Sequence, residues 1–307
     1  MSQPANLLRL SVIINNYNYG QYIEECIQSV LNQSRSADEI IIVDDGSTDN
    51  SVEIIRKFEG QVRLLTQPNG GQLSAIVTGV EAATGDFLLF LDSDDLWNPD
   101  HLETVEKVFN EYPSVDCLFT KLQLFGNDEG PHVLNIRKFP NRLKCSRFAA
   151  YYSNFFLGRP TSACVFKSEV VKKVIQACKG LEDDFRICAD RILINGTSLI
   201  GAEKMFIDDC TVLYRTHGEN GYYAKEKNGQ ALALAEHRKN LINQKILAAY
   251  PFKFTPDAVV KEMLQNGSAE LHGVFYRNIA KRMKLSYLAD KYLRWRLGRL
   301  RRKLANE

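Results

Sequence analysis

Phe87-Leu88-Leu89-Phe90-Leu91-Asp92-Ser93-Asp94-Asp95 decides how this chain is organised: an unbroken apolar run closed by three carboxylates and a serine. Such a run, preceded by the turn residues Thr84, Gly85 and Asp86, predicts a strand covered on both faces, as in a parallel sheet. Ligands of such sheets bind beyond the carboxyl ends of the strands. Acids crowded at that end repel one another, and a divalent cation or a cationic substrate among them relieves the repulsion. With no thiol or imidazole beside them, they suit a hard ion such as magnesium or manganese. The same acids would also serve as a solvated turn, since Asn98, Pro99 and Asp100 have the character of a helix start.

The preceding segments repeat the theme. Residues 10–15 form a first apolar strand, followed by the polar, aromatic loop Asn16-Tyr17-Asn18-Tyr19-Gly20 and a helix whose Ile23, Ile27, Val30 and Leu31 recur at helical spacing. Residues 39–43 are a β-branched second strand that again ends in acids, Asp44 and Asp45. A turn then feeds a helix with Val52, Ile55 and Phe58 on its apolar face; Ser47 and Asp49 read as its caps. Residues 62–65 give a third strand, Pro68-Asn69-Gly70-Gly71 a turn, and residues 72–83 a helix of small and apolar residues. Strand and helix alternate four times, which predicts an α/β fold with a mainly parallel central sheet and flanking helices. The loops after the first, second and fourth strands then meet at one edge, as in a nucleotide crevice. No glycine triplet opens the first helix, so the dinucleotide fingerprint is missing; Asn16 and Tyr17 suit a base and ribose better than a cradled pyrophosphate.

At 307 residues, 45% hydrophobic and 25% charged, the chain has material for one large or two small domains. No stretch is apolar for long enough to span a bilayer, which leads to the expectation of a cytosolic protein. Cys26, Cys117, Cys145, Cys164, Cys178, Cys188 and Cys210 are scattered singly, without zinc or disulfide spacing. The net charge of +2 hides an asymmetry, with basic residues crowded at the C-terminus.

Four blocks together resemble the inverting family 2 glycosyltransferases of the GT-A fold: VIINNY (12–17), IIVDDGSTDNS (41–51), NGGQLSA (69–75) and GDFLLFLDSDDLWNP (85–99). The resemblance continues more weakly to about residue 220. It implies a nucleotide-sugar donor, with Asn15 and Tyr17 lining the base pocket and Tyr17 stacking on a pyrimidine. Asp45, with Asp44 beside it, is then the acceptor for a uracil or thymine imide, which favours UDP or dTDP. Asp92 and Asp94, flanking Ser93, match the family's Asp-any-Asp pair that reaches the ribose or sugar and the metal on the diphosphate. Asp95 extends the pair, so which carboxylate coordinates manganese or magnesium stays open. Gln72 is implied near the ribose or phosphate. In the acceptor half, residues 159–166 resemble a strand carrying acceptor and sugar contacts. Residues 182–190 hold four acids, of which inverting transfer needs one as general base; Asp190 matches best and Asp184 is the alternative. His217 resembles a residue that completes the metal site or binds phosphate, and Arg215 is an alternative diphosphate clamp.

The implied organisation is a GT-A domain over residues 1–225, with a nucleotide-sugar half to about 110 and an acceptor half from 111, followed by a helical region over 226–307. Helices are expected at 231–250, 255–267 and 269–281. In the last stretch Ala289, Leu293, Leu297, Leu300 and Leu304 line one face, with Tyr292 and Trp295 at its border and arginines opposite. Such a helix suits either an anionic membrane surface on the inner face of the bilayer, where a lipid-linked acceptor would wait, or packing on the domain or a second subunit in a homo-oligomer. No base-reading motif accompanies the basic residues, so nucleic acid is not an expected partner. The expected activity is metal-dependent transfer of a sugar to a hydroxyl of a glycan or lipid-linked acceptor, in surface polysaccharide assembly. Two alternatives stand beside it. A sugar-phosphate nucleotidyltransferase would need a glycine-rich basic loop where Asn16 to Gly20 stand; a non-catalytic nucleotide-sugar or glycan-binding module would need none of the base chemistry.

Overall fold

The structure, a computed structural model, describes residues 8–131, 141–152, 157–218, 229–266 and Trp295. The first half alternates strand and helix: β1 (Leu10–Asn16), α1 (Gly20–Leu31), β2 (Glu39–Asp44), α2 (Ser51–Arg56), β3 (Arg63–Thr66), α3 (Gln72–Ala82) and β4 (Phe87–Asp92). Two-residue β5 (Leu96–Trp97), α4 (His101–Glu111) and the long β6 (Cys117–Gly126) follow. Then come β7 (Gly130–Pro131), β8 (Arg142–Leu143), α5 (Arg147–Tyr152), β9 (Cys164–Lys167), α6 (Ser168–Ala177), α7 (Asp190–Ile200), β10 (Lys204–Thr216), α8 (Gly229–Ala249) and α9 (Pro256–Gln265).

The sheet order is β3-β2-β1-β4-β9-β6-β10-β5, with β7 on β6 and β8 on β10. The pairs β3·β2, β2·β1, β1·β4 and β6·β10 are parallel; β9 runs antiparallel between β4 and β6. The expected parallel sheet therefore forms from β1 to β4, and β9 splices a second half onto it. The apolar runs of β1, β2 and β4 are buried on both faces. Ile13, Ile41, Val43, Leu88 and Phe90 pack with α3, α6 and α7, while Val12, Ile14, Ile42, Leu89 and Leu91 pack with α1 and α4. In α1, Ile23, Cys26, Ile27 and Val30 form the buried stripe that helical spacing predicts. The second helix is shorter than its pattern: Ile54 and Ile55 are its buried apolar residues, Val52 is half-buried, and Phe58 falls beyond its end.

Register places the functional edge. Asn15 lies opposite Asp92 and Asn16 opposite Asp44, so the ends of three strands stop side by side. β5 pairs antiparallel with Val212 and Leu213 of β10, which carries Arg215 and His217 back to the acids after β4. α8 packs on α6 and α7, and α9 on α5. Among the described residues no helix is long and apolar enough to cross a membrane. The expected helices at 269–281 and 289–304 lie outside the described residues, apart from Trp295, which is exposed.

Candidate active site

The acids after β4 take three different roles. Asp92 Oδ1 accepts from Asn15 Nδ2 and from Gln72 Nε2, both at 3.0 Å. Burial, then the neighbouring charges of Asp94 and Asp190, push its carboxyl up to about 7. Asp94 is 8% exposed and sets Oδ2 against His217 Nε2 at 2.9 Å. The His217 ring is itself held against Tyr22 and Tyr19, with centroids 5.2 and 5.7 Å away. Asp95 is different. At 1% exposure it accepts from Ser162 Oγ at 2.5 Å and from the Arg215 backbone N–H at 2.8 Å. Its carboxyl is raised well above the usual range by burial and by Asp94 and Asp92. Asp95, which the sequence left among the metal-ligand candidates, has both carboxylate oxygens engaged by the protein and ties β10 and Ser162, just before β9, to the acids after β4.

Arg215 is likewise occupied as a pin. Nε donates to the Asp94 carbonyl at 2.7 Å and the other end to Glu25 Oε2 at 2.6 Å, while the guanidinium lies between the rings of Tyr22 and Phe125 at 4.6 and 4.3 Å. The guanidinium that the sequence offered as a diphosphate clamp is thus engaged by these protein groups. Ser162, expected within a 159–166 strand carrying acceptor and sugar contacts, lies instead in a short helical turn over Thr161–Ala163 just before β9, where it both holds Asp95 and accepts from the Asp92 N–H at 3.1 Å. Its own carbonyl accepts from Trp97 Nε1 at 2.8 Å.

On the base side, Tyr17 is 44% exposed and so presents a ring to solvent. Asp44 is spent within its loop, accepting from Asn16 Nδ2, Ser47 N–H and Ser47 Oγ. Asp45, 3% exposed, accepts from Gln67 Nε2 and Gly70 N–H on Oδ1 and from Gly71 N–H on Oδ2. It thereby fixes the glycine turn that opens α3. Ser93 is buried, and its hydroxyl has no partner among the described residues. Asp49 binds the Gly20 and Ser51 N–H groups at 2.8 and 3.0 Å, closing the starts of α1 and α2 as a cap does.

Across the edge, Asp190 is the first residue of α7 and is half-buried. Burial pushes its carboxyl up to about 6 against the opposing pull of Arg191 and Arg238. The residue before it, Ala189, donates its N–H to the Gln72 amide that also bonds Asp92, so the start of α7 is tied to the acids after β4, and the Asp190 charge helps raise the Asp92 carboxyl. Asp184 lies in the preceding turn, its N–H on the Leu181 carbonyl. Gln72, expected near ribose or phosphate, has its amide engaged at both ends, on Asp92 and on the Ala189 N–H at 3.0 Å.

The chemistry of the donor set fits a divalent cation. Asp94 and His217 offer oxygen and nitrogen side by side, and the raised carboxyl of Asp92 marks negative charge in need of compensation. Among the described residues no three such groups form a ready-made cage.

The fold is shared with solved GT-A glycosyltransferase structures. S. aureus TarS 1-349 in complex with UDP-GlcNAc matches with a TM-score of 0.55 at 20% identity, over 97% of this chain and 90% of that one. The same protein with UDP matches with a TM-score of 0.56 at 21% identity and the same coverage. A glycosyltransferase of Nostoc sp. is 34% identical over 221 residues, 70% of this chain and 67% of its own length. Chondroitin synthase of Pasteurella multocida is 40% identical over 134 residues, 43% of this chain and 14% of the synthase. Residues 11–175 match the family described as Glycosyl transferase family 2. This chain belongs to glycosyltransferase family 2.

Proposed function

We propose that the protein is a metal-dependent, inverting transferase that moves a sugar from UDP- or dTDP-sugar to a hydroxyl of a glycan or lipid-linked acceptor. The observation that carries this is the link from Asp92 through the Gln72 amide to the N–H of Ala189, which sets the start of α7, and Asp190 on it, beside the acids after β4, where Asp94 stands against His217. Asp190 would take the acceptor proton as the oxygen attacks the anomeric carbon. The bond from that carbon to the β-phosphate oxygen breaks, and its electron pair leaves with the nucleoside diphosphate. Asp94 and His217 would hold magnesium or manganese, whose charge offsets that of the diphosphate. Tyr17 would stack on the base. One lone-pair position of Asp45 Oδ2 remains for an imide N–H, which uracil and thymine have and cytosine lacks.

Relatives named chondroitin and hyaluronan synthases support a role in polysaccharide assembly, although this chain spans 14% of their length. The test is release of the nucleoside diphosphate, UDP or dTDP, from a panel of UDP- and dTDP-hexoses with manganese, in the parent and in Asp190→Asn. Release that needs manganese and falls about 10²- to 10⁴-fold in the variant is expected. Equal release by the variant would remove Asp190 as base and bring Asp184 forward, and no release from any donor would favour a binding module.

A further inference from the structure

Gln72, at the start of α3, uses both ends of its side-chain amide inside the protein. Nε2 donates to Asp92 Oδ1 and Oε1 accepts from the N–H of Ala189, the residue before Asp190, each at 3.0 Å. The surrounding backbone is bonded in the same sense. The Gln72 and Leu73 N–H groups, free at a helix start, are taken by the carbonyls of Arg186 at 2.9 Å and Phe185 at 3.2 Å. The Arg186 guanidinium reaches Asn69 Oδ1. Gly71, at φ +88°, leaves the room: a Cβ there would stand 2.5 Å from the Arg186 Cα. Residues 185–189 are therefore laid along the turn that opens α3. Asn15 donates to the same Asp92 oxygen but makes no bond to that segment.

We infer that Gln72 is a positioning residue that fixes Asp190 relative to Asp92, holding the general base and the donor carboxylates in one register through a single amide. This rests on the transferase reading above. A group that only bound donor would leave one end of its amide toward the ligand; this one is satisfied by the two halves of the site. Removing it frees the start of α7 to drift while the nucleotide side keeps its other contacts.

The test compares the parent, Gln72→Met, Asn15→Ala and Asp190→Asn with the double variants Gln72→Met/Asp190→Asn and Asn15→Ala/Asp190→Asn, all in the whole chain with manganese. UDP binding is measured by calorimetry, and turnover as UDP released from whichever UDP-hexose the parent uses. Gln72→Met is expected to keep the UDP Kd and the donor KM within about threefold while kcat falls about 10- to 100-fold, the signature of misplaced rather than missing chemistry. In the Asp190→Asn background the same substitution should cause no further loss, whereas Asn15→Ala, used in both backgrounds, should still lower the rate. Gln72→Asn, too short to span both partners, should give the same split if the Met variant melts early. A raised KM with kcat retained would make Gln72 a donor contact and overturn the inference. So would an equal loss in the Asp190→Asn background. A parent that binds UDP but turns over no UDP-hexose would instead overturn the transferase reading itself.

Discussion

Replacing Asp92 by Asn should stabilise the ligand-free protein above neutral pH, even though it removes a residue of the donor site. The Asp92 carboxyl is moved from 3.8 to about 7 by burial and by Asp94 and Asp190. An acid whose folded pKa is raised binds more protons folded than unfolded between those two values. Its penalty on stability is therefore absent below about pH 4, grows through the interval and is full above about pH 7. The displacement corresponds to an upper bound of ~4 kcal/mol, and because the acids share their repulsion about 1–3 kcal/mol is expected from removing one. Asn keeps an Oδ1 to accept from Asn15 and Gln72, so the bonding is conserved while the charge is removed. Thermal melts of parent and variant at pH 5 and pH 8, in a chelator, read the effect. At pH 8 the variant should melt roughly 2–10 °C higher, and at pH 5 the gap should shrink. A variant less stable at pH 8, or a gap indifferent to pH, would refute the idea that crowded charge strains this edge.

Three further outcomes follow from the same geometry. Asp190→Asn should lower turnover about 10²- to 10⁴-fold with UDP binding unchanged, read by product release and calorimetry. In the parent, the base acts only when deprotonated, so the rate should rise with pH up to the Asp190 pKa of about 6 and level above it. Gly71→Ala puts a Cβ at positive φ and against the Arg186 backbone, so it should destabilise by about 2–4 kcal/mol in urea melts and lower kcat as residues 185–189 are displaced.

The parts of the fold visible in the sequence are those set by short-range pattern. The apolar runs ending at Asn16, Asp44 and Asp92 announced strands buried on both faces and stopping at one edge, and they do so. What the pattern could not carry is which distant segment comes to lie beside them. β9 enters between β4 and β6 in the antiparallel sense from about 75 residues along the chain, and its four residues, Cys164 to Lys167, give no sign of direction. The same holds within the site. Asp92, Asp94 and Asp95 look equivalent in the sequence, yet Asp95 is claimed by Ser162 and Arg215, residues 67 and 120 positions away. His217 and Asp190 became candidates only through resemblance to a family, because nothing local distinguishes a ligand histidine from a packed one or a base from a cap. Gln72 was expected near the ribose or phosphate, and its bonds to Asp92 and Ala189 depend on a segment more than a hundred residues later.

The most direct measurement is calorimetric titration with UDP, dTDP, GDP and CDP, each with manganese and with a chelator, for the parent and Asp94→Ala. Binding of UDP or dTDP by the parent that needs manganese and is lost in Asp94→Ala is the predicted result. Binding of none of the four, preference for CDP, or binding indifferent to both metal and Asp94 would contradict the account at its centre.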